Sequence, residues 1–333
     1  MKVLLIGGTG NISKEVSKLA VTRGMDLYLL NRGNRPDKIP EGATLLRGDI
    51  DSPETQEMLA DKRFDAVVNF IVFRPEQAER DIRLFNGKCG QYVEISTACI
   101  YEKPLRTFPI TESAHIANTP WDYAENKIAC EEVYHKAYCE KGFPITFFRP
   151  SHTYSEEMIP TGLGGGWAVA SRMLRGKPVI VHGDGLTLWT ITHSRDVAKG
   201  IVGILGNTHA IGEAVHCTTD EVLTWDDIYN SIARALGVKA ELVHVSTEML
   251  TAVFPWEYGH FMGDTAHTAI YDNTKIKRLV PGFEATVSAD EGIRESVQYH
   301  LDHPELQRED PNFDALCDKL LNAREAFFKA AKG

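Results

Sequence analysis

A short apolar run near the start of the chain ends directly in a glycine-rich turn. Residues 3–6 are apolar, Gly7, Gly10 and Ser13 follow at intervals of three, and residues 12–20 have helical spacing. Glycine lets the backbone turn tightly against a pyrophosphate, whose charge then faces the free N–H groups of the helix. Ser13 occupies the position of a third glycine, and its side chain is small enough for close packing of helix on strand. The pattern predicts the first strand, turn and helix of a dinucleotide-binding sheet.

The first 150 residues alternate between apolar runs and polar, helix-compatible segments. After the first run, further apolar runs occupy residues 27–30, 44–46, 66–70, 91–95 and 145–148. Apolar runs separated by helices indicate parallel strands joined by crossovers, because both faces of such a sheet are covered. The sequence therefore predicts an α/β fold with a doubly wound parallel sheet of the Rossmann type. Ligands of such a sheet bind at the carboxyl ends of its strands.

The alternation ends after Pro150, which divides the chain into two parts. We expect residues 1–150 to form the dinucleotide-binding domain, with segments from about 186–220 returning to it. We expect residues 151–333 to form mainly a smaller substrate-binding region and a C-terminal helix, which apolar spacing predicts over 313–328. In this second part we expect a glycine turn at 162–166, helices at 167–174 and 196–205, and strands at 179–181 and 188–192.

The balance of charges argues against several classes of protein. The 333 residues include 36 Lys and Arg against 46 Asp and Glu, a formal net charge of −10, and an acidic surface repels nucleic-acid phosphates. No run of 18 residues is apolar throughout, and the first apolar run is too short for a signal peptide. The six cysteines show neither a Cys-x-x-Cys pair nor a metal-ligand spacing. We therefore expect a cytoplasmic protein with free thiols and no bound metal, which partners neither a membrane nor nucleic acid.

The end of the second predicted strand bears on the identity of the cofactor. Asn31 stands where an acidic residue would bind the ribose 2′-hydroxyl of NAD, and Arg32 follows it. A neutral residue beside an arginine suits a 2′-phosphate, since the guanidinium offers several donors. The pair favours NADP, with NAD as the alternative if Arg32 is only a solvated surface charge. After the third strand, Asp49 is placed to accept a hydrogen bond from the adenine amino group, and Ile50 follows it.

A tyrosine and a lysine lie one helical turn apart at the start of a predicted helix over 123–140. Tyr123 and Lys127 share one face of that helix because their spacing is i, i+4. A tyrosine with an ordinary pKa of about 10 is a poor base at neutral pH, but an adjacent ammonium stabilises the phenolate. Taken alone, the pair is equally typical of an exposed helix surface. The hydroxyl of Thr97, at the end of the fifth strand, supports the catalytic interpretation because it is placed to donate to a substrate oxygen.

The order of four motifs resembles that of the extended short-chain dehydrogenases/reductases, also known as the NAD-dependent epimerase/dehydratase family. The motifs are the glycine-rich turn, a strand end that reads Ser-Thr-Ala-Cys-Ile-Tyr at 96–101, the Tyr-x-x-x-Lys pair, and Arg149-Pro150. The resemblance covers nearly the whole chain and is most specific over residues 1–200.

The resemblance implies roles for individual residues. Thr97 would be the catalytic hydroxyl in preference to Ser96, and Tyr123 would be the acid/base, tuned by Lys127. The dimers that are usual in this family form through the helix that carries the tyrosine, so we expect a homodimer. The expected cofactor contacts are Gly7, Thr9, Gly10, Asn11, Ile12, Asn31, Arg32, Asp49, Ile50, Phe70, Lys127 and Pro150.

Two departures from the family's patterns narrow the expected substrate. Sugar-nucleotide 4,6-dehydratases carry Thr-Asp-Glu where this chain has Thr97-Ala98-Cys99, so their acid and base are missing here. Nucleotide-sugar epimerases usually hold the substrate diphosphate with an arginine at the position of Trp189. Without that bidentate contact, a nucleotide-diphosphate sugar is disfavoured. A smaller sugar derivative, a polyol or another carbonyl compound is expected instead.

Two further residues near the expected active site have more than one interpretation. Cys99 resembles the proton-transferring cysteine of the GDP-fucose synthases, but the histidine that they pair with it is missing, and His152 is out of register. We therefore expect Cys99 to be a small, buried apolar residue. Trp121 is placed either to line a substrate pocket or to anchor the start of the helix.

Together these features predict an NAD(P)-dependent oxidoreductase or epimerase. It would act on a hydroxyl or carbonyl carbon of a sugar-like or small carbonyl substrate by hydride transfer, with Tyr123 as acid/base. One alternative is a non-catalytic NADP-binding redox sensor, although such relatives usually lose the tyrosine or the lysine. Another is a relative of the chloroplast stem-loop RNA-binding proteins, which the chain resembles at 271–275, against its net charge of −10.

Overall fold

The computed structural model describes residues 1–117 and 120–332. Its strands are β1 (Lys2–Ile6), β2 (Asp26–Asn31), β3 (Thr44–Arg47), β4 (Phe64–Asn69), β5 (Cys89–Ile95), β6 (Ile145–Pro150), β7 (His152–Tyr154), β8 (Val179–His182), β9 (Leu188–Trp189), β10 (Ile191–His193), β11 (Ala214–Cys217), β12 (Leu223–Thr224) and β13 (Leu242–Val245). Its α-helices are α1 (Ser13–Thr22), α2 (Pro53–Leu59), α3 (Pro75–Phe85), α4 (Asp122–Lys141), α5 (Gly166–Leu174), α6 (Ser194–Ile204), α7 (Trp225–Ala235), α8 (Thr247–Val253), α9 (Tyr258–His260), α10 (Thr274–Leu279), α11 (Ala289–Asp302) and α12 (Pro311–Ala331).

Seven parallel strands form the main sheet in the order β11-β6-β5-β4-β1-β2-β3. β1 pairs with β2 on one side and with β4 on the other, so the direction of winding reverses at β1. In a doubly wound sheet, a crevice opens at this point beyond the carboxyl ends of the strands. The arrangement confirms the predicted α/β class and places a ligand cleft at the end of β1.

Helices cover both faces of the sheet. Successive side chains of β1 point to opposite faces, so that Val3 and Leu4 enter different cores. On one face Val3 packs with Val16 of α1 and Ile201 of α6. On the other, Leu4 is in one core with Ile82 of α3 and with residues of α4. This double burial is why the strands read as continuous apolar runs in the sequence.

Much of the chain after Pro150 packs around a third apolar core. Trp189 and Trp225 are completely buried there, with ring centroids 5.2 Å apart. Ala98 and Tyr101, which follow β5, belong to the same core, so this region lies against the carboxyl ends of the main sheet. β11 lies within the range 186–220 and joins the main sheet beside β6.

The expected secondary structure differs from the observed elements by only a few residues at the ends, except at 188–192. That segment reads as one apolar strand, but the structure divides it into β9 and β10. The two halves have different partners, since β9 pairs antiparallel with β12 and β10 pairs parallel with β7. A change of partner of this kind leaves no mark on the local apolar pattern.

Three observations concern membranes, metals and thiols. Across residues 1–117 and 120–332, no helix combines the length and the apolar character that a membrane span requires. Over the same ranges, no group of three or more His, Cys, Asp or Glu side chains is arranged to hold a metal ion. All six cysteines are free thiols.

Candidate active site

The turn between β1 and α1 has a conformation that requires glycine. Gly7 has a φ of +82°, and a Cβ on it would lie 2.8 Å from Ile71 Cγ2. Ser13 Oγ donates to the Gly7 carbonyl at 2.6 Å and accepts from the Gly10 N–H at 2.7 Å. Ser13 therefore stabilises the turn through two hydrogen bonds. The sequence had suggested only that its small size permits close packing. No described side chain caps α1, and the N–H groups of Lys14 and Glu15 donate to the carbonyls of Gly10 and Ile12, so the N–H groups just before them, at residues 11–13, are the ones available to an anion.

Two adjoining cavities meet at this turn. The first, of about 350 Å³, lies at the ends of β1, β5 and β6, and the second, of about 470 Å³, lies at the ends of β2 and β3. Ile71 and Phe73 line both, together with the glycines of the turn. Between them the two cavities are lined by every residue that the sequence predicted to contact the cofactor, namely Gly7, Thr9, Gly10, Asn11, Ile12, Asn31, Arg32, Asp49, Ile50, Phe70, Lys127 and Pro150.

The second cavity fits the adenosine half of a dinucleotide. Asn31 Oδ1 accepts from the Gly33 N–H at 2.9 Å, which leaves the buried Nδ2 without a partner in the described chain. Arg32 is exposed at the same cavity and forms no ion pair with a described residue, whereas Arg35 is engaged by Glu157 at 2.6 Å. A buried donor without an acceptor and a free guanidinium both suit the oxygens of a ribose or its phosphate.

The first cavity holds the three predicted catalytic side chains. Thr97, Tyr123 and Lys127 all line it, at the carboxyl end of β5 and the first turns of α4. Ser96 also lines it, but its hydroxyl donates to the buried Glu131 carboxylate at 2.6 Å. The Thr97 hydroxyl donates to Cys99 Sγ at 3.2 Å, accepts the Cys99 N–H at 3.3 Å and also interacts with the Tyr123 phenol. Of the two hydroxyls, Thr97 is the one free to turn to a substrate.

Lys127 is buried and fully engaged. Its ammonium donates to the carbonyls of Val72 and Ile95, both at 2.6 Å, and to Glu94 Oε1 at 3.3 Å. These three acceptors use its three N–H bonds, so none remains for the Tyr123 phenol. Burial raises the pKa of Tyr123, and the interaction with the Thr97 hydroxyl opposes that shift. The sequence predicted that Lys127 lowers the pKa of Tyr123, whereas in this arrangement the pKa of Tyr123 is raised.

Two buried carboxylates beneath the site were not foreseen. Glu94 lies below Lys127, and Glu131 receives a bidentate contact from Arg149. Burial raises the pKa of Glu94, and the Lys127 ammonium opposes that rise. Glu94 lies within the apolar run 91–95, and a lone carboxylate in a buried strand signals a buried cationic partner. Arg149 of the Arg-Pro motif therefore binds a carboxylate in the interior of the protein.

Cys99 and His152 both stay uncharged in this environment. Burial raises the pKa of the Cys99 thiol, which favours packing over proton transfer. Burial and the neighbouring His260 lower the pKa of His152 from 6.5 to about 4. The Nε2 of His152 is shielded from solvent and has no hydrogen-bond partner within the described ranges.

A third cavity, of about 610 Å³, lies beyond Tyr123 on the side away from the glycine turn. The Trp121 ring forms part of its wall and lies 4.9 Å from the Tyr123 ring between centroids. Residues 162–165 line this cavity, whereas Thr97 lines the first one. Thr97 and the glycine turn at 162–165 therefore belong to two neighbouring cavities, and the contact between the Trp121 and Tyr123 rings joins the two linings.

The end of β7 and the residues after it contact the glycine turn and α1 through a hydrogen bond and ion pairs. Thr153 O accepts from Asn11 Nδ2 at 3.0 Å, and the buried Lys14 ammonium donates to Glu156 at 2.8 Å and to Glu157 at 3.0 Å. Burial alone would raise the pKa of Glu157, but hydrogen bonds from Lys38, Lys14 and Arg35 lower it from 4.5 to about 2. No local sequence pattern indicates this cluster, because its partners are more than 100 positions apart.

Comparisons with known proteins agree with this geometry. The sequence model described as the NAD dependent epimerase/dehydratase family matches residues 3–217. Over 290 residues the chain is 25% identical to the 2′-dehydrokanamycin reductase of Streptomyces kanamyceticus, which covers 85% of this chain and 80% of that protein. Over 320 residues it is 24% identical to the chloroplast stem-loop binding protein of 41 kDa b of Arabidopsis thaliana, with 90% and 79% covered.

The fold is also found in solved structures. The UDP-glucuronic acid 4-epimerase from Bacillus cereus, in complex with UDP-glucuronic acid and NAD, superposes with a TM-score of 0.73. The match covers 91% of this chain and 99% of the epimerase, at 18% identity. The main sheet and the region above its carboxyl ends are thus shared with that structure.

Proposed function

Because the chain belongs to the NAD-dependent epimerase/dehydratase family, we propose that it reduces a carbonyl carbon of a sugar-like substrate, with Tyr123 as the acid. The protein is an NAD(P)-dependent enzyme of the extended short-chain dehydrogenase/reductase type, as the sequence predicted. The observation that carries the proposal is the presence of Thr97, Tyr123 and Lys127 in the cavity that begins at the glycine turn. A substrate oxygen in that cavity would have two hydroxyl groups close by.

The chain's own residues supply the proton chemistry of this reaction. When bound, a nicotinamide dinucleotide supplies the hydride for reduction of a carbonyl, or takes it up in the reverse direction. On reduction, the O–H bond of Tyr123 breaks and its proton passes to the substrate oxygen, which becomes a hydroxyl. Thr97 donates a hydrogen bond to the same oxygen. Lys127, fixed by two carbonyls, presents its positive charge below the site.

Tyr123 is in the protonation state that a reduction requires. Burial raises the pKa of this phenol, so it is protonated at neutral pH. A neutral phenol is the form that can protonate a carbonyl oxygen, whereas oxidation of an alcohol would require the phenolate. An epimerase needs both forms within one turnover. The name of the Streptomyces relative, a reductase, supports the same direction.

We also propose that the cofactor is NADP. Arg32 lies at the cavity at the end of β2 and is free to meet a 2′-phosphate, and Asn31 offers a donor beside it. An acidic residue, which would repel that phosphate, is absent from the end of β2. Asp49 lines the same cavity and is placed for the adenine.

The likeness to the stem-loop binding protein does not change this proposal. In the stretch 271–275, Tyr271 is buried and its hydroxyl donates to Ala98 O at 3.4 Å. Asn273 is buried too, and its amide nitrogen donates to Thr218 O and to Asp220, both at 2.9 Å. These side chains hold the second region to the main sheet rather than present a surface to nucleic acid.

The test compares Tyr123→Phe with the wild-type enzyme. We expect turnover of carbonyl compounds with NADPH, followed at 340 nm, to fall by about 100-fold or more, since a positioned proton donor contributes that much. Binding of NADPH, measured by fluorescence, should hardly change, because the phenol is not needed to hold the cofactor. The matched control is Tyr138→Phe, which removes a hydroxyl from an exposed residue of the same helix.

Three results would contradict the assignment. Full activity of Tyr123→Phe on a substrate that the wild type reduces would remove Tyr123 from the reaction. Binding of NADPH to a wild-type protein that turns over no carbonyl or hydroxyl compound would favour the redox-sensor alternative. Loss of activity in Tyr138→Phe to the same degree would show that the effect arises from the helix and not from the phenol.

A further inference from the structure

The third cavity has aromatic walls. Trp121, Phe254, Trp256 and Phe313 all line it, and the Phe254 ring contacts those of Trp256 and Phe313. Trp256 is 63% exposed although its ring is in edge contact with Phe254, so its face is free for a ligand. Aromatic faces pack against the flat sides of saturated rings and attract cations through their negative faces.

The charged groups of this cavity are all acidic. Glu257 and Asp310 line it, and no lysine or arginine does so among the residues that the structure describes. Glu257 Oε2 contacts His260 Nδ1 at 3.0 Å, and Asp310 Oδ1 accepts the Phe313 N–H at 2.9 Å, so that each carboxylate keeps a second oxygen for a ligand. Neither carboxylate is paired with a lysine or arginine of the described chain. The carboxylates over the glycine turn, by contrast, are neutralised by three cations.

Ring contacts connect this cavity to the catalytic phenol. The Tyr123 ring lies 4.9 Å from Trp121, and the Trp121 ring lies 5.2 Å from His260, whose Nδ1 contacts Glu257. A substrate with its reacting carbon at Tyr123 would therefore extend along Trp121 toward the carboxylate of Glu257. His152 lines the same cavity, and its Nε2 is buried without a hydrogen-bond partner in the described ranges.

The residues packed beneath this cavity offer no cation to bind phosphates. Trp189, which stands where nucleotide-sugar epimerases usually have an arginine, is buried, and its Nε1 donates to His267 O at 2.8 Å. Its ring packs on Trp225 and against the edge of His152. Arg195, the nearest arginine in sequence, is bound to Glu295. A diphosphate in this cavity would meet two carboxylates and no cation.

We propose that the third cavity binds the amine-bearing part of the substrate, so that the enzyme acts on an amino sugar or a similar polyamine ring compound. Protonated amines donate to Glu257 and Asp310, and the rings lie between Trp121 and Trp256. This assignment rests on the proposed function for the reaction itself and adds the chemical class of its substrate. The net charge of −10 also attracts a polycation and repels a nucleotide sugar at long range.

The test measures binding to the holoenzyme by calorimetry. With NADPH bound, an alcohol has no hydride acceptor, so a non-reducing amino sugar such as neamine is bound without reaction. Its tetra-N-acetyl derivative has the same rings and no charge, and UDP-glucose is the anionic comparison. We expect neamine to bind at least about tenfold more tightly than the acetylated form, and UDP-glucose to bind more weakly than neamine. Added salt should weaken the binding of neamine only.

Three variants test the residues. Glu257→Gln and Asp310→Asn remove charge and keep size, and asparagine still caps α12. Each should weaken the binding of neamine by about tenfold and leave the binding of the acetylated form unchanged. Glu248→Gln, at an exposed position of α8 outside the cavity, is the matched control and should behave as the wild type.

The outcomes separate this proposal from the proposed function. Equal affinity for neamine and its acetylated form, or full affinity in both cavity variants, would overturn the amine assignment. Reduction of neutral or anionic carbonyl compounds without a preference for amine-bearing ones would also overturn it while leaving the reaction in place. Charge-dependent binding of neamine with no turnover of any ketone would support the cavity assignment and overturn the proposed reaction.

Discussion

The Lys127 ammonium lies 3.3 Å from the Glu94 carboxylate, and both side chains are almost completely buried. Glu94 does not line the cavities around the glycine turn, and its contact with the site is through Lys127. The other carboxylate oxygen of Glu94 has no partner among the described residues. A buried ion pair with an unsatisfied oxygen adds little to stability, and its value here is the fixed position of the lysine.

The first prediction concerns the stability of a Glu94→Gln variant as a function of pH. Burial raises the folded-state pKa of Glu94 above 4.5, so the carboxyl in the folded protein holds its proton longer than in the unfolded chain. Its contribution to stability is complete below pH 4.5 and is lost as the pH rises through the raised pKa. Glutamine does not titrate. We expect the free energy of unfolding of the wild type, relative to the variant, to decrease from pH 5 to pH 8.

Urea unfolding at several pH values measures this difference. Glu132→Gln, at an exposed position of the same helix as Lys127, is the control and should show no such trend. A wild-type protein whose relative stability rises over the same range would mean that Glu94 is held ionised by Lys127.

Much of the fold follows from local features of the sequence. The strands β1, β4, β5 and β6 are detectable because burial on both faces makes them continuously apolar, whereas the edge strand β3 is largely exposed and is marked only by its two leucines. Gly7 is detectable because its positive φ excludes other residues. Most residues of the two cavities around the glycine turn follow from the same rule, since they lie where predicted strands end, and Tyr123 and Lys127 were predicted from their spacing on a helix.

The features of the site that the sequence did not predict depend on contacts between residues far apart in the chain. Lys14 reads as an ordinary polar residue on a helix, yet it is 1% exposed because Glu156 and Glu157 lie against it. The engagement of Lys127 with Val72 O could not be derived from its spacing to Tyr123, because a backbone carbonyl carries no sequence signature. Spacing along a helix fixes which side chains share a face but not which partner each one takes.

The second prediction separates the two hydroxyls at the end of β5. Thr97→Val should lower kcat by about 100-fold, since it removes a hydrogen-bond donor to the reacting oxygen. Its effect on stability should stay near 1 kcal/mol, the value of a lost turn cap. Ser96→Ala should do the reverse, with little change in kcat and a loss of about 2 kcal/mol, because Glu131 loses a buried donor. Steady-state kinetics of both variants measure kcat, and urea unfolding measures their stability. A larger loss of kcat in Ser96→Ala than in Thr97→Val would make Ser96 the catalytic hydroxyl.

The third prediction concerns the charge cluster at Glu157. Hydrogen bonds from Lys38, Lys14 and Arg35 outweigh burial and lower the pKa of Glu157 from 4.5 to about 2. A depressed folded-state pKa contributes stability above pH 4.5, and that contribution is lost as the pH falls toward 2. Glu157→Gln should therefore cost about 2 kcal/mol at pH 7, and the difference from the wild type should shrink below pH 4.5.

Thermal unfolding of the two proteins at pH 7, 4 and 3 measures this gap. Glu54→Gln, at an exposed position of α2, gives the effect of removing an unpaired charge. A gap between wild type and Glu157→Gln that stays constant from pH 7 to pH 3 would contradict the role of this carboxylate as the partner of the three cations.

The fourth prediction concerns the choice between NADP and NAD. Arg32 lies at the cavity at the end of β2 and makes no ion pair with a described residue, so its guanidinium can form charge-assisted hydrogen bonds with a 2′-phosphate. Arg32→Ala should weaken the binding of NADPH by about tenfold or more and leave the binding of NADH nearly unchanged. Fluorescence titration with each cofactor measures this, with Arg23→Ala, an exposed arginine beyond the end of α1, as the control. Equal losses of affinity for the two cofactors would mean that Arg32 contacts a part that they share, such as the adenine or the pyrophosphate. That result would contradict the assignment of Arg32 to the 2′-phosphate, and with it the preference for NADP.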